Sequence, residues 1–458
     1  MVNNPAMIEP LDLPLQDAAA ALRAGTLTAR ALTEAALTRC ALRNPHLHAV
    51  THLNPQALTE ADRADALLAA GQGGPLCGIP FLVKDLIDVA SLPATSGSAV
   101  LAGRIADTDA PAVALLRAQG AVVLGKVATY EFAMVGPDLT LPDPPARNPW
   151  NRAHITGGSS SGSASAVAGG LVRMALGTDT GGSIRSPSAY CGCVGLKPSY
   201  ERVARAGAFP LSPALDHTGP IAASVADAAL MLDAITANPS AWRPASGKLT
   251  QGARGLRIGY ARDWFAADPQ AAPALIHAMD DAAAQLSMLG ASITPIPLPD
   301  YAPYEAAASV ILHAEALAEH RDLIRDKAAL YGRPVLQCLA FGAAIDADDL
   351  AQARLAQTSL TAAMLAAMDG FDLILTATTL TPALPFSAFD GEKAVWTPMR
   401  TIAFNLTGQP AISVPIGFDA GLPLGMQLVG RIGCEDLICA TAHAFEQSTD
   451  HSCQRPSF

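Results

Sequence analysis

The sequence predicts an α/β fold in which strands and helices alternate in packed layers. Three observations carry that prediction. Short apolar runs at 49–53, 81–83, 121–124 and 256–260 alternate with stretches of helical length and period. The 458 residues are 50% hydrophobic and 16% charged, which suits a large core and excludes a disordered chain. A Gly/Ser loop at 157–162 opens onto a helix of small residues, 163–168, and a short apolar strand, 174–176, runs into a second Gly-rich turn.

In order, residues 15–40 read as two helices, the first ending at Gly25 and the second capped by Thr28. A strand follows at 49–53. Asn54 and Pro55 then start a helix that runs to about residue 70. Strand 81–83 runs straight into Lys84. A lysine there is costly to bury charged, so it either snorkels to water or loses its proton. Helix 109–119, with Pro111 in its first turn, ends at Gly120, and strand 121–124 leads to Lys126, which lies beyond the strand and reads as structural. Pro137, Pro142, Pro144 and Pro145 stiffen 134–147, a segment expected either near the mouth of a site or as a plain surface loop. Further on, helix 224–238, strand 256–260, helix 271–289 and strand 292–296 continue the alternation. Residues 300–370 are mainly helical and are expected to cover the site. Strand 371–376 and a closing helix at 434–447 complete the chain.

Two tight loops carry serines, one with Gly157-Gly-Ser-Ser-Ser and one with Gly181-Gly-Ser-Ile-Arg, and could face one another. Glycines allow φ > 0 and bring several N–H groups to one point, as an oxyanion hole requires. Together these stretches closely resemble the signature of the amidase signature family. The resemblance extends to Gly78-Ile-Pro-Phe-Leu-Val-Lys-Asp, to 148–151, to 212–220 and to elements at 401–428, and weakens at 134–147 and 300–370.

The resemblance implies roles by position. The nucleophile is Ser183. The second serine, in a cis peptide, is Ser159, 24 residues earlier as in the family. The base is Lys84, whose amine must be neutral to work. By composition alone Ser160, Ser161 and Ser163 compete for the middle position; the family spacing selects Ser159. The N–H groups of Thr180, Gly181, Gly182 and Ser183 are expected to form the oxyanion hole, while Asp179 and Arg185 hold the turn. No cofactor and no metal is required. The implied architecture is a three-layer α/β/α sandwich around a large twisted mixed β-sheet with a mainly helical covering region. It forms one domain over 1–458, with its core at about 75–220 and its cover at about 300–370.

The expected activity is that of a stand-alone amidase acting through a Ser183 acyl-enzyme on small hydrophobic or aryl amides, or on carbamates and urethanes. Its expected partner is the small-molecule substrate, with no nucleic acid, since net charge is −11. No membrane span, signal peptide or zinc-type cysteine spacing is visible, so a cytoplasmic monomer or homodimer is expected. Three alternatives are weighed beside it. One is the glutamine-hydrolysing subunit of a tRNA-dependent amidotransferase, whose substrate-binding arginine would fall near Gln357, with Arg354 one turn earlier. Another is a phosphate- or nucleotide-binding protein using 157–162 as a cradle, although no Gly-Lys-Ser/Thr closes that loop. The third is a Ser-His-Asp arrangement through His217, which no Gly-x-Ser-x-Gly elbow supports.

Overall fold

The computed structural model describes residues 9–389 and 393–458. Its framework is an 11-stranded mixed sheet in the order β1-β3-β2-β4-β6-β5-β10-β11-β9-β7-β8. The strands are β1 (Val50–Leu53), β2 (Pro80–Lys84), β3 (Val122–Val127), β4 (Met174–Asp179), β5 (Val194–Lys197) and β6 (His217–Ala222). They continue with β7 (Arg257–Tyr260), β8 (Ser292–Pro295), β9 (Leu373–Ala377), β10 (Ala411–Asp419) and β11 (Leu422–Val429). β2 pairs in parallel with β3 and β4, and β7 with β8 and β9, while β4–β6, β5–β6, β5–β10, β10–β11, β9–β11 and β1–β3 are antiparallel.

The layers follow from side-chain alternation along the strands. In β9, Leu373, Leu375 and Ala377 enter one apolar cluster and Ile374 enters another. In β11, Leu424, Met426 and Leu428 face the first cluster and Val429 the second. The first cluster also takes residues from the Leu15–Arg23, Ala29–Leu47, Val225–Ile235, Pro273–Met288 and Glu435–Gln447 helices. The second takes them from the Tyr301–Lys327, Arg333–Ala343 and Ala347–Ala367 helices. The sheet is thus the middle of an α/β/α sandwich, with the 301–367 helices on the face that carries the site.

Local signals act as their chemistry dictates. The Thr28 hydroxyl accepts the Ala31 N–H, and Gly25 turns the preceding helix with φ 70°. The Asn54 carboxamide caps Gln56 N, but the helix begins at Ala57, two residues after Pro55. β3 runs on through Lys126, which lies inside the strand rather than beyond it. Lys126 is buried against Asp85 at 2.9 Å, so its neighbour after β2 makes the longer strand possible. The described residues contain no helix long and apolar enough to cross a membrane.

Candidate active site

Parallel β2 and β4 place their C-terminal ends side by side, and the chemistry gathers there. β2 ends in Lys84, and β4 ends just before Thr180, Gly181, Gly182 and Ser183. The Gly/Ser loop lies across both. Its Ser160 N–H donates to Ser183 O at 3.2 Å, and Tyr130 N–H donates to Ser159 O at 3.1 Å. The Gly158–Ser159 peptide is cis. Gly158 must be glycine here, because a Cβ would stand 2.2 Å from Cε2 of the Tyr130 ring.

Lys84 is fully buried, and among the described residues no carboxylate touches it. Its Nζ lies 2.8 Å from Ser159 Oγ and 2.7 Å from Thr178 Oγ1, both within hydrogen-bond reach. Burial brings its pKa down to about 7, against the opposing pull of the Asp179 and Asp216 carboxylates. The other serines of the loop are engaged elsewhere: Ser160 Oγ with Thr178 O, Ser161 Oγ with Ala128 O and Ser163 Oγ with Leu176 O. Ser159 is therefore the loop hydroxyl that meets the lysine. Ser183 is half-buried and opens onto a cavity of about 330 Å³, also lined by Tyr130, Met134 and Trp396. A buried amine at the end of β2 thus stands beside adjoining loops that carry a buried hydroxyl and a reachable one. This suits proton removal from a serine by a base hidden from solvent.

The turn that presents Ser183 is braced by a buried ion pair. Asp179 and Arg185 are both fully buried and meet at 3.0 Å, and Asn405 donates to the same carboxylate at 2.9 Å. Burial alone would raise the Asp179 pKa, but Arg185 holds it well below the carboxylate range. Asp179 also accepts N–H groups from Gly182 at 2.9 Å and Ile184 at 3.1 Å. The Gly182 N–H, expected in the oxyanion hole, is thereby occupied. Thr180, Gly181 and Ser183 remain as donors for an oxyanion.

The alternatives separate on the same geometry. His217 is buried, its Nδ1 is 2.7 Å from Leu215 O, and it lines a different cavity from Ser183. The loop that would cradle phosphate has already spent two of its N–H groups, Ser160 on Ser183 O and Gly162 on Ala128 O. Asp216 accepts from Thr180 Oγ1 and from the N–H groups of Leu211 and Ser212, which fixes a loop. Of the proline-rich segment, Met134, Val135 and Gly136 line the cavity at Ser183, while Pro137 and Pro142 to Pro145 line a separate one. Sequence reasoning missed Thr178, although it sits two residues before the first donor of the turn. It also missed Glu305, Ser309 and His313, whose spacing of four marks one helix face.

The amidase family model matches residues 31–439. The chain belongs to the amidase family. It is an α/β enzyme of the amidase signature type, a hydrolase acting on C–N bonds. It is 36% identical to a glutamyl-tRNA(Gln) amidotransferase subunit of Roseiflexus sp. (strain RS-1), over 97% of this chain and 98% of that protein. Among solved structures it resembles one described as an unexpected vestigial protein complex that reveals the evolutionary origins of an s-triazine catabolic enzyme. That match has TM-score 0.88 and 30% identity, covering 97% of this chain and 100% of the other. The native peptide amidase from Stenotrophomonas maltophilia superposes with TM-score 0.84 at 32% identity, over 99% of both chains.

These relatives correct one expectation. A monomer or homodimer acting on a small-molecule amide or carbamate, with no nucleic acid, does not describe the amidotransferase relative: the Roseiflexus protein is one subunit of a glutamyl-tRNA(Gln) amidotransferase. The reason is physical. A net charge of −11 argues only about direct electrostatic contact with nucleic acid, and an apolar composition says nothing about a protein partner. The relatives support the amidotransferase alternative better than a stand-alone aryl amidase.

Proposed function

We propose that this chain is the amide-hydrolysing subunit of a multi-chain assembly of the amidotransferase type, with Ser183 as nucleophile, Ser159 as relay and Lys84 as base. The observation that carries the chemistry is the contact of a buried, carboxylate-free Lys84 amine with Ser159 Oγ at 2.8 Å. The subunit role is supported by the 36% identity to the Roseiflexus amidotransferase chain over nearly the whole of both chains. We also read the described chain as one catalytic unit, since one sheet holds strands from Val50 to Val429.

In this reading, neutral Lys84 takes the proton of Ser159 as Ser159 takes that of Ser183. Ser183 Oγ attacks the amide carbon, and the carbonyl oxygen becomes an oxyanion held by N–H groups of Thr180, Gly181 and Ser183. Ser159 returns a proton to the leaving nitrogen, the C–N bond breaks, and water cleaves the acyl-enzyme by the same path reversed. Thr178 takes one N–H of the amine and so leaves its lone pair to Ser159.

Glutamine is the amide donor that the amidotransferase relative suggests. A specific observation favours a second reading of the substrate. Gln357 Nε2 is tied to Leu406 O, Arg354 pairs with Glu315, and neither lines the Ser183 cavity. That cavity is lined by no arginine or lysine among the described residues, so a substrate carboxylate has no cation to meet. The test is labelling with a fluorophosphonate followed by peptide mapping, alongside ammonia release from glutamine and from simple amides. Label at Ser183 and turnover that Ser183→Ala and Lys84→Ala both abolish are expected. Full turnover in Ser183→Ala refutes the nucleophile assignment. Purification of the chain from its native host as a lone species, fully active, refutes the subunit role.

A further inference from the structure

The wall of the cavity opposite the Ser183 turn is one face of the Tyr301–Lys327 helix. Glu305, Ser309 and His313 line it at successive turns, since residues four apart share a face. His313 is 8% exposed and wedged edge-on against Phe341 at 4.8 Å and near Trp396 at 6.3 Å. Its Nδ1 lies 2.7 Å from Ser309 O, so Nδ1 carries the proton and Nε2 is left as an acceptor. Burial lowers the His313 pKa, which keeps the ring neutral and accepting. Glu305 stands exposed at the mouth, with no ion pair among the described residues. The wall therefore offers a carboxylate, a hydroxyl and an imidazole nitrogen.

The two sides of the cavity are chemically opposed. The Ser183 side supplies N–H donors, which the acyl oxygen requires. On the helix side Glu305 and the His313 Nε2 are acceptors, beside the Tyr301 and Ser309 hydroxyls, which act either way, with Ser309 Oγ 3.2 Å from His313 Nδ1; nothing in the acyl-transfer chemistry uses these acceptors. An acceptor that lines a site is best met by a donor on the ligand, and discrimination follows where it is left unpaired.

We propose that Glu305, Ser309 and His313 form a recognition wall for an amide whose far end carries N–H donors, such as an ammonium, urea or second amide, and no carboxylate. The proposal rests on Ser183 being the reacting serine, because that fixes which end of the substrate lies where.

The test separates recognition from reaction. Binding is measured by calorimetry on Ser183→Ala protein, which holds substrates without turning them over. The ligands are ω-amino amides, alkyl amides and ω-carboxy amides of equal length, in a ladder of two to five methylenes. At the best length the ω-amino amide is expected to bind about threefold to fivefold more tightly than the alkyl amide, the range of a partly exposed ion pair. The ω-carboxy amide is expected to bind worst. Adding Glu305→Lys should reverse the order of the two charged ligands. His313→Phe keeps the ring packing and should weaken only N–H-bearing ligands, by about two- to tenfold. Tighter binding of the ω-carboxy amide, or an order that Glu305→Lys leaves unchanged, overturns the recognition wall. Absence of turnover in the wild type with the binding order intact overturns the reaction assignment instead.

Discussion

Lys84 as base makes a quantitative demand on the pH profile. An ordinary lysine, with its pKa at 10.5, is about 0.03% neutral at pH 7. Burial brings Lys84 to about 7, so about half of it is neutral there. The gain in competent base exceeds a thousandfold, or about 4 kcal/mol of barrier. The assay is ammonia release under kcat/KM conditions from pH 5 to 10. The rate should rise about tenfold per pH unit on the acid side, bend near pH 7 and stay level above pH 8. Asp216→Asn gives an internal control. Its carboxylate favours the charged amine, so removing it lowers the Lys84 pKa and moves the bend to lower pH. A bend near pH 10, or one that moves to higher pH in Asp216→Asn, would refute a buried neutral lysine as the base.

The same geometry sets three further outcomes. Lys84→Met should abolish turnover yet stabilise the fold at pH 7 by about 2 kcal/mol in urea unfolding, since about 4 kcal/mol of buried-amine cost is offset by two orphaned hydroxyls. The sign is set by a folded pKa below the unfolded one: native stability rises with pH from about 7 to 10.5 and is lost as pH falls, so the variant's advantage fades toward pH 10.5. Asp179→Ala should lower stability by about 3–5 kcal/mol, read as a reduced urea midpoint, because it strands the fully buried Arg185. Gly158→Ala should cut kcat/KM more than tenfold, because its Cβ must displace the Tyr130 ring and with it the loop carrying Ser159.

Much of the site was legible because its parts are local. Lys84 ends an apolar run, and the two Gly-rich turns each bear a serine, so the strand–turn pattern points at the loops that the fold brings together beside Lys84. The family spacing then chose Ser159 among four serines, and the structure gives the reason: the other three hydroxyls bond to backbone carbonyls. The occupied Gly182 N–H was not legible, because its partner Asp179 bonds back across the turn in a way that spacing does not encode. β5, β10 and β11 escaped a residue-level strand reading, as their buried Gly, Pro and Gln positions break the alternation that marks a half-exposed strand. The acceptor wall at 305, 309 and 313 was visible as spacing, but only the opposing Ser183 turn gives that spacing a meaning.

Among the described residues, three lysines lie fully buried within strands or at their ends, and comparing them shows what distinguishes one of them. Lys126 meets Asp85 at 2.9 Å and also donates to Pro93 O, so it is held as an ion-paired strut between β3 and the loop after β2. Lys197 donates to Pro198 O, and burial and the nearby Arg185 push its pKa well down. Lys84 alone of the three has two hydroxyls as partners, and the carboxylates of Asp179 and Asp216 act on it only from a distance. Burial without a contacting counter-ion favours the neutral amine, and hydroxyl partners give that amine something to deprotonate. A carboxylate in place of Thr178 would restore the charge and convert Lys84 into a second Lys126. Lys126 stands opposite Val83, the residue before Lys84, on the neighbouring strand. In the proposed mechanism, the reactivity of this site thus depends on an ion pair that the fold withholds from Lys84 and supplies to the lysine beside it.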